Sequence, residues 1–108
     1  MLLVSGMALA VCAASVAQGA DMPVYTLTIK DHKFQLTQIT APANTKFKVL
    51  VVNQDSTPSE FESTEFNREK IVMPNSSTIV FIGPLDKGHY KFFDDFHRDT
   101  GNGVLIVQ

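Results

Sequence analysis

Apolar and polar positions alternate with a period of two along most of this chain. Residues 24–29 (VYTLTI) alternate and are rich in β-branched side chains. Residues 46–52 (KFKVLVV) alternate and then run continuously apolar, as a buried strand does. Segments 78–82, 90–93 and 104–107 have the same character, and 35–40, 61–63 and 70–73 predict shorter strands. Turn formers separate them: Pro42, the stretch 53–58, Pro74-Asn75, Gly83-Pro84, Gly88 and Gly101-Asn102-Gly103. No long apolar pattern repeats every 3.6 residues, and no internal repeat is present. Short strands with turns at this spacing predict an all-β Greek-key sandwich. If consecutive strands run antiparallel, loops 31–33, 54–60, 74–76 and 94–102 gather at one pole, and most acidic and histidine residues lie in or beside them.

The 108 residues suit one small domain. Residues 1–20 are uncharged, rich in Leu, Val and Ala, and close on small residues, although no Lys or Arg precedes the apolar run. They predict a secretory signal peptide, with a single domain over 21–108 and a periplasmic location. Cys12, the one cysteine, falls inside this leader. Val11 is too large for a lipoprotein processing site, so no lipid anchor is expected. The processed chain then has neither a disulfide nor a thiol ligand. A net charge of -2 and the lack of a basic aromatic stripe argue against nucleic-acid binding.

Several segments together resemble the cupredoxins. Phe34 to Ile39, Ala41-Pro42-Ala43-Asn44-Thr45 and Phe47-Lys48-Val49 look like the early strands and their turn. Val52-Asn53-Gln54-Asp55 resembles the segment leading to the first histidine ligand. Gly88-His89-Tyr90-Lys91-Phe92 resembles the strand that enters the Cys-x-x-His loop, and 103–107 resembles the closing strand. Under this resemblance Glu60 stands about where the first histidine would be, Asp94 at the cysteine and His97 at the second histidine. The following loop has no methionine, and Asn102 is nearest to that position. Glu60-Phe61-Glu62 with Arg68-Glu69-Lys70-Ile71 is similar to the periplasmic cupredoxin-like proteins that accompany bacterial ferrous-iron permeases. The resemblance implies binding of iron, with or without copper, and help in oxidising iron or delivering it to a permease.

Carboxylate and imidazole ligands suit Fe(II), Fe(III), Mn(II) and Cu(II), whereas a blue-copper centre needs a thiolate. Glu60, Asp94 and His97 are the expected metal ligands, with Glu62 as the alternative to Glu60 or an additional ligand. Alternation puts both glutamates on one face and Phe61 on the other. Two carboxylates offset the higher charge of Fe(III) better than that of Fe(II), so such a site allows ferroxidase-type activity. Glu69 is either a further ligand or the partner of Arg68 in a surface ion pair, worth about 0–1 kcal/mol. Asp94 could equally cap its own turn. Met73 is expected in the core, and Asp31 and His32 are auxiliary capture groups. His89 is expected at the opposite end, and Asp95 either faces solvent or orients His97. The alternative reading is a metal-free docking module of a membrane transport complex.

Overall fold

A computed structural model describes residues 22–108. The leader expected over residues 1–20, and Cys12 within it, lie outside the described residues. Among the described residues nine strands are formed: β1 (Val24–Lys30), β2 (Lys33–Phe34), β3 (Gln38–Ala41), β4 (Phe47–Asn53), β5 (Ser59–Ser63), β6 (Arg68–Val72), β7 (Ser77–Ile82), β8 (Gly88–Asp94) and β9 (Asn102–Val107). They build a four-stranded sheet in the order β2-β1-β4-β7 and a five-stranded sheet in the order β3-β9-β8-β5-β6. The β1–β4 and β3–β9 pairs are parallel, and the other pairs are antiparallel. Asp55 accepts the N–H groups of Asp31, His32 and Asn75, and the Thr100 hydroxyl donates to the His32 carbonyl, so the four loops gather at one pole as expected.

One segment differs from its sequence-based expectation. Of the strand expected over 35–40, only 38–40 is formed, as part of β3, which pairs with β9 in the other sheet, while the two residues ahead of that stretch form the unexpected β2, which pairs with β1. The cause is the two-residue turn Asp31-His32. Both residues have left-handed φ values, 55° and 60°, as a tight hairpin turn requires. The Asp55 carboxylate accepts both of their backbone N–H groups, at 2.8 and 2.9 Å. A turn locked by a residue so far along the chain has no local signal.

The inward positions of both sheets supply the core. Leu27, Ile29, Phe47, Val49, Val51, Val80 and Ile82 come from the four-stranded sheet, and Ile39, Phe61, Val72, Phe92, Leu105 and Val107 from the other. At its centre the Phe61 ring lies 5.3 Å from Phe92 and 6.1 Å from Phe66, and Phe34 packs edge-on to Phe92 at 5.1 Å. Gly103 lies directly over this cluster, since a Cβ there would stand 2.3 Å from the Phe92 ring. Met73, expected inside, is 60% exposed, because it follows the inward Val72 at the end of β6 and alternation turns it outward.

Arg68 does not pair with Glu69. Its Nε donates to the Phe81 carbonyl on β7 at 2.7 Å, and its Nη1 to the Asn67 carbonyl at 2.8 Å. The side chain thus ties the edge strand of one sheet to the edge strand of the other. Arg68→Ala should cost about 1 kcal/mol and lower Tm by roughly 4–8 °C in a domain of this size, measured by thermal melts.

Candidate metal-binding site

Strand β5 decides the geometry. Ser59, Phe61 and Ser63 point inward, while Glu60 and Glu62 lie half-exposed on the outer face. Across β6, Glu62 stands directly opposite Glu69, and across β8 it stands opposite Phe93. Asp95, just past β8, extends the ladder by donating its N–H to the Glu60 carbonyl at 2.8 Å. Alternation then places Asp95 outward, because Asp94 is inward. One carboxylate oxygen from each of Glu60, Glu62 and Asp95 lies within 4.8 Å of the other two. That spacing lets one hard cation bridge the three groups with little movement.

The electrostatics of this patch are uneven. Glu60 is held above the ordinary glutamate range, first by desolvation, then by a hydrogen bond with Asp95 and by the charges of Glu69, Glu62 and Asp95. The neighbouring carboxylates thus oppose ionisation of Glu60, and a cation would relieve that opposition. Part of the charge is offset from the rim. Arg98 Nε donates to Asp95 Oδ1 at 2.6 Å, Nη2 lies 2.5 Å from the same oxygen, and the guanidinium sits over the Phe93 ring at 4.5 Å.

A second constellation lies at the pole, on the inner side. Asp94 is 1% exposed. Its Oδ1 accepts the N–H groups of Glu60 and Phe96, each at 3.0 Å, and its Oδ2 accepts from His97 Nδ1 at 2.9 Å. The His97 ring stacks on His32, with centroids 3.6 Å apart and planes 15° apart. His32 in turn contacts Thr57 through Nε2, and its carbonyl accepts the Thr100 hydroxyl at 2.6 Å. Beneath them, buried Asn53 donates to the carbonyls of Thr57, Val72 and Met73 and accepts the Asp55 N–H. For Asp55, burial would raise the pKa. The amides of His32 and Asp31 and the fields of His32 and His97 outweigh it, and the carboxyl ends below the ordinary aspartate range.

The expected Glu60/Asp94/His97 set therefore does not meet as one cluster. Glu60 reaches Asp94 through its backbone N–H, while its carboxylate points to the opposite side of the sheet. The inward residue opposite Asp94 on β5 is Phe61, and Ser59, the next inward position toward the start of β5, has a fully buried Oγ with no hydrogen-bond partner among protein atoms. Glu62 and Asp95 join Glu60, and Glu69 flanks them, exposed, on the far side of Glu62. The partner that orients His97 is Asp94 rather than Asp95. Sequence reasoning put Asp95 aside, although its parity relative to Asp94 was a usable signal.

Fold and site together define a cupredoxin-like domain: two sheets closed around an aromatic core, with the ligand-type residues at one pole and along the adjoining strand. The chain belongs to the cupredoxin-like domain family, whose pattern matches residues 1–107. A Rickettsia prowazekii (strain Madrid E) protein, RP394, is 47% identical over 81 residues, which cover 75% of this chain and 65% of that protein. The chain thus spans less than two thirds of that relative's length. Amicyanin from Paracoccus versutus superposes with a TM-score of 0.62 at 21% identity, covering 84% of this chain and 85% of the other. Auracyanin A, a blue copper protein of Chloroflexus aurantiacus, superposes with a TM-score of 0.70 at 11% identity, covering 82% and 100%. At these identities the likeness establishes the fold. The residues at the pole do not fit a copper–thiolate centre. The sole cysteine is Cys12, outside the described residues, and the inward-facing groups are a carboxylate, an imidazole and a neutral hydroxyl.

Proposed function

We propose that this protein binds iron on the outer face of its five-stranded sheet, through Glu60, Glu62 and Asp95 with Glu69 beside them. It does so in the periplasm, as an accessory to ferrous-iron uptake through a membrane permease. The observation that carries this reading is the convergence of three carboxylates within 4.8 Å. The Glu-Phe-Glu and Arg-Glu-x-Ile signatures and the apolar leader support the uptake context. An all-oxygen set suits Fe(II), Fe(III) and Mn(II). It favours Fe(III) in particular, because more anionic charge offsets the higher cation charge, so the site also assists ferrous oxidation by an external acceptor.

Titration of the purified protein with Mn(II), with the free ion read by electron paramagnetic resonance, should reveal one saturable site that Fe(II) competes for under anaerobic conditions. Absence of saturable binding would overturn the reading. Cells lacking the protein should accumulate less iron at unchanged copper content. Arg98 gives a further expectation. Arg98→Gln removes a positive charge from the rim and frees Asp95 Oδ1, so Mn(II) affinity should rise roughly five- to tenfold at low salt, with the gain shrinking as ionic strength rises.

The outer face of the four-stranded sheet favours a second reading. Val24, Lys48 and Phe81 form one row across it, and Leu50 and Ile79 the next. Val24, Ile79 and Phe81 are 51%, 40% and 46% exposed. A metal-free docking role would stand if carboxylate replacements left iron uptake unchanged while polar replacements of Ile79 and Phe81 abolished it.

A further inference from the structure

We infer that Asp94 and His97 form a closed hydrogen-bonded latch that positions the outer carboxylates, and that the inner pole they occupy is not a cation site in this chain. The inference rests on the cation reading above for its functional half. It departs from the ligand role that the Asp-x-x-His spacing suggests.

The first support is saturation of the carboxylate. Asp94 Oδ1 takes two backbone amides and Oδ2 takes His97 Nδ1, so its charge is answered by three donors of the protein itself. A cation entering between Oδ2 and Nδ1 would have to displace the imidazole from a buried carboxylate. Ser59, the chain neighbour of the Glu60 amide that Asp94 accepts, offers only a neutral hydroxyl in compensation. The second support is closure. The His97 ring is covered on one face by His32. The 94–101 loop folds directly onto Asp94, whose N–H donates to the Gly101 carbonyl at 2.9 Å. A Cβ at Gly101 would stand 2.6 Å from Asp94 Cβ.

The third support links the latch to the outer face. The Glu60 peptide is held from both sides, its N–H by Asp94 Oδ1 and its carbonyl by the Asp95 N–H. Asp94 therefore fixes the backbone of Glu60, and as its chain neighbour it fixes that of Asp95. Two of the three outer carboxylates are set by a residue that does not touch the cation. Asp94 is a positioning residue here.

The test compares Asp94→Asn, Asp94→Ala and Glu62→Gln with the wild type, by thermal melts and by Mn(II) and Cu(II) titration of the whole protein. Asparagine keeps an Oδ1 acceptor for both amides, and its Nδ2 can donate to Nδ1 of the other imidazole tautomer. Asp94→Asn should melt within about 5 °C of wild type and bind both ions within roughly threefold. Asp94→Ala, which leaves two part-buried amides and the His97 ring without their acceptor, should melt about 10 °C lower and bind more weakly. Glu62→Gln should melt like wild type yet lose roughly tenfold or more in affinity. A folded Asp94→Asn protein that loses about tenfold or more for either ion would overturn the inference and restore Asp94 as a ligand. If the wild type binds neither ion, the cation reading fails, and the melts alone decide the latch. Asp94→Asn near wild type then supports it, and Asp94→Asn falling as far as Asp94→Ala overturns it.

Discussion

Phe61→Ala should lower Tm by about 15–25 °C, with a loss of roughly 3–5 kcal/mol in unfolding free energy. Phe61 is 1% exposed and contacts Phe34, Phe66 and Phe92 in one aromatic cluster. Truncation removes the ring's transfer free energy and leaves a cavity between two sheets whose backbones are fixed by their ladders, so little collapse can fill it. Phe61→Leu, which retains most of the volume, should cost less than about 1.5 kcal/mol. Phe61 also sits between Glu60 and Glu62 on β5, so the loosened strand should spread the outer carboxylates. Urea melts and Mn(II) titration of the folded fraction would measure both effects. A Phe61→Ala melt within a few degrees of wild type would show that this cluster is not the centre of the core.

Replacing Glu60 and Glu62 together by glutamine should weaken cation binding by at least about 100-fold, because two anionic oxygens at contact distance become neutral amides. Backbone ladder and core are untouched, so Tm should stay near wild type or rise slightly as the mutual repulsion of the patch is relieved. The pH dependence follows from the raised Glu60 group. In the window between the ordinary glutamate value and the raised one, folded Glu60 keeps a proton that the unfolded chain releases. Its contribution to stability is thus present below that window and is lost as pH rises through it. For binding the sign is reversed. The cation must displace that proton, so wild-type affinity should fall as pH drops through the same window, and the double variant should show no such slope. Equal Mn(II) affinity in the two proteins at neutral pH would remove the outer face from consideration.

Much of the architecture was legible because burial writes itself as alternation. In β4 the inward Phe47, Val49 and Val51 are separated by residues that face out, and the pattern alone gave strand, face and sandwich. The faces of Glu60, Phe61 and Glu62 were legible for the same reason. What alternation cannot give is register between strands. Asp94 and Glu60 are neighbours in space, yet whether they share a face depends on Phe61 standing opposite Asp94, and that pairing is set by the whole sheet. The cupredoxin resemblance therefore suggested one cluster of Asp94 and His97 with Glu60, where the fold separates two constellations by the thickness of a strand. β2 was invisible because only two residues form it, and the turn ahead of it is closed by Asp55. An Arg68–Glu69 ion pair was one of two readings of Glu69, and the acceptor that Arg68 takes is instead the Phe81 backbone on the other sheet.

Glu60 and Glu62 are carried on paired β-strand backbone, with Asp95 at its immediate margin, and this has a consequence for how an ion would come and go. A ligand set on a hinged lid trades partners by swinging open. Groups planted on a ladder shift only by side-chain rotation, so exchange should be quick and ungated, with selectivity governed by charge density. Insertions in the four loops at the pole would then leave ionic preference intact.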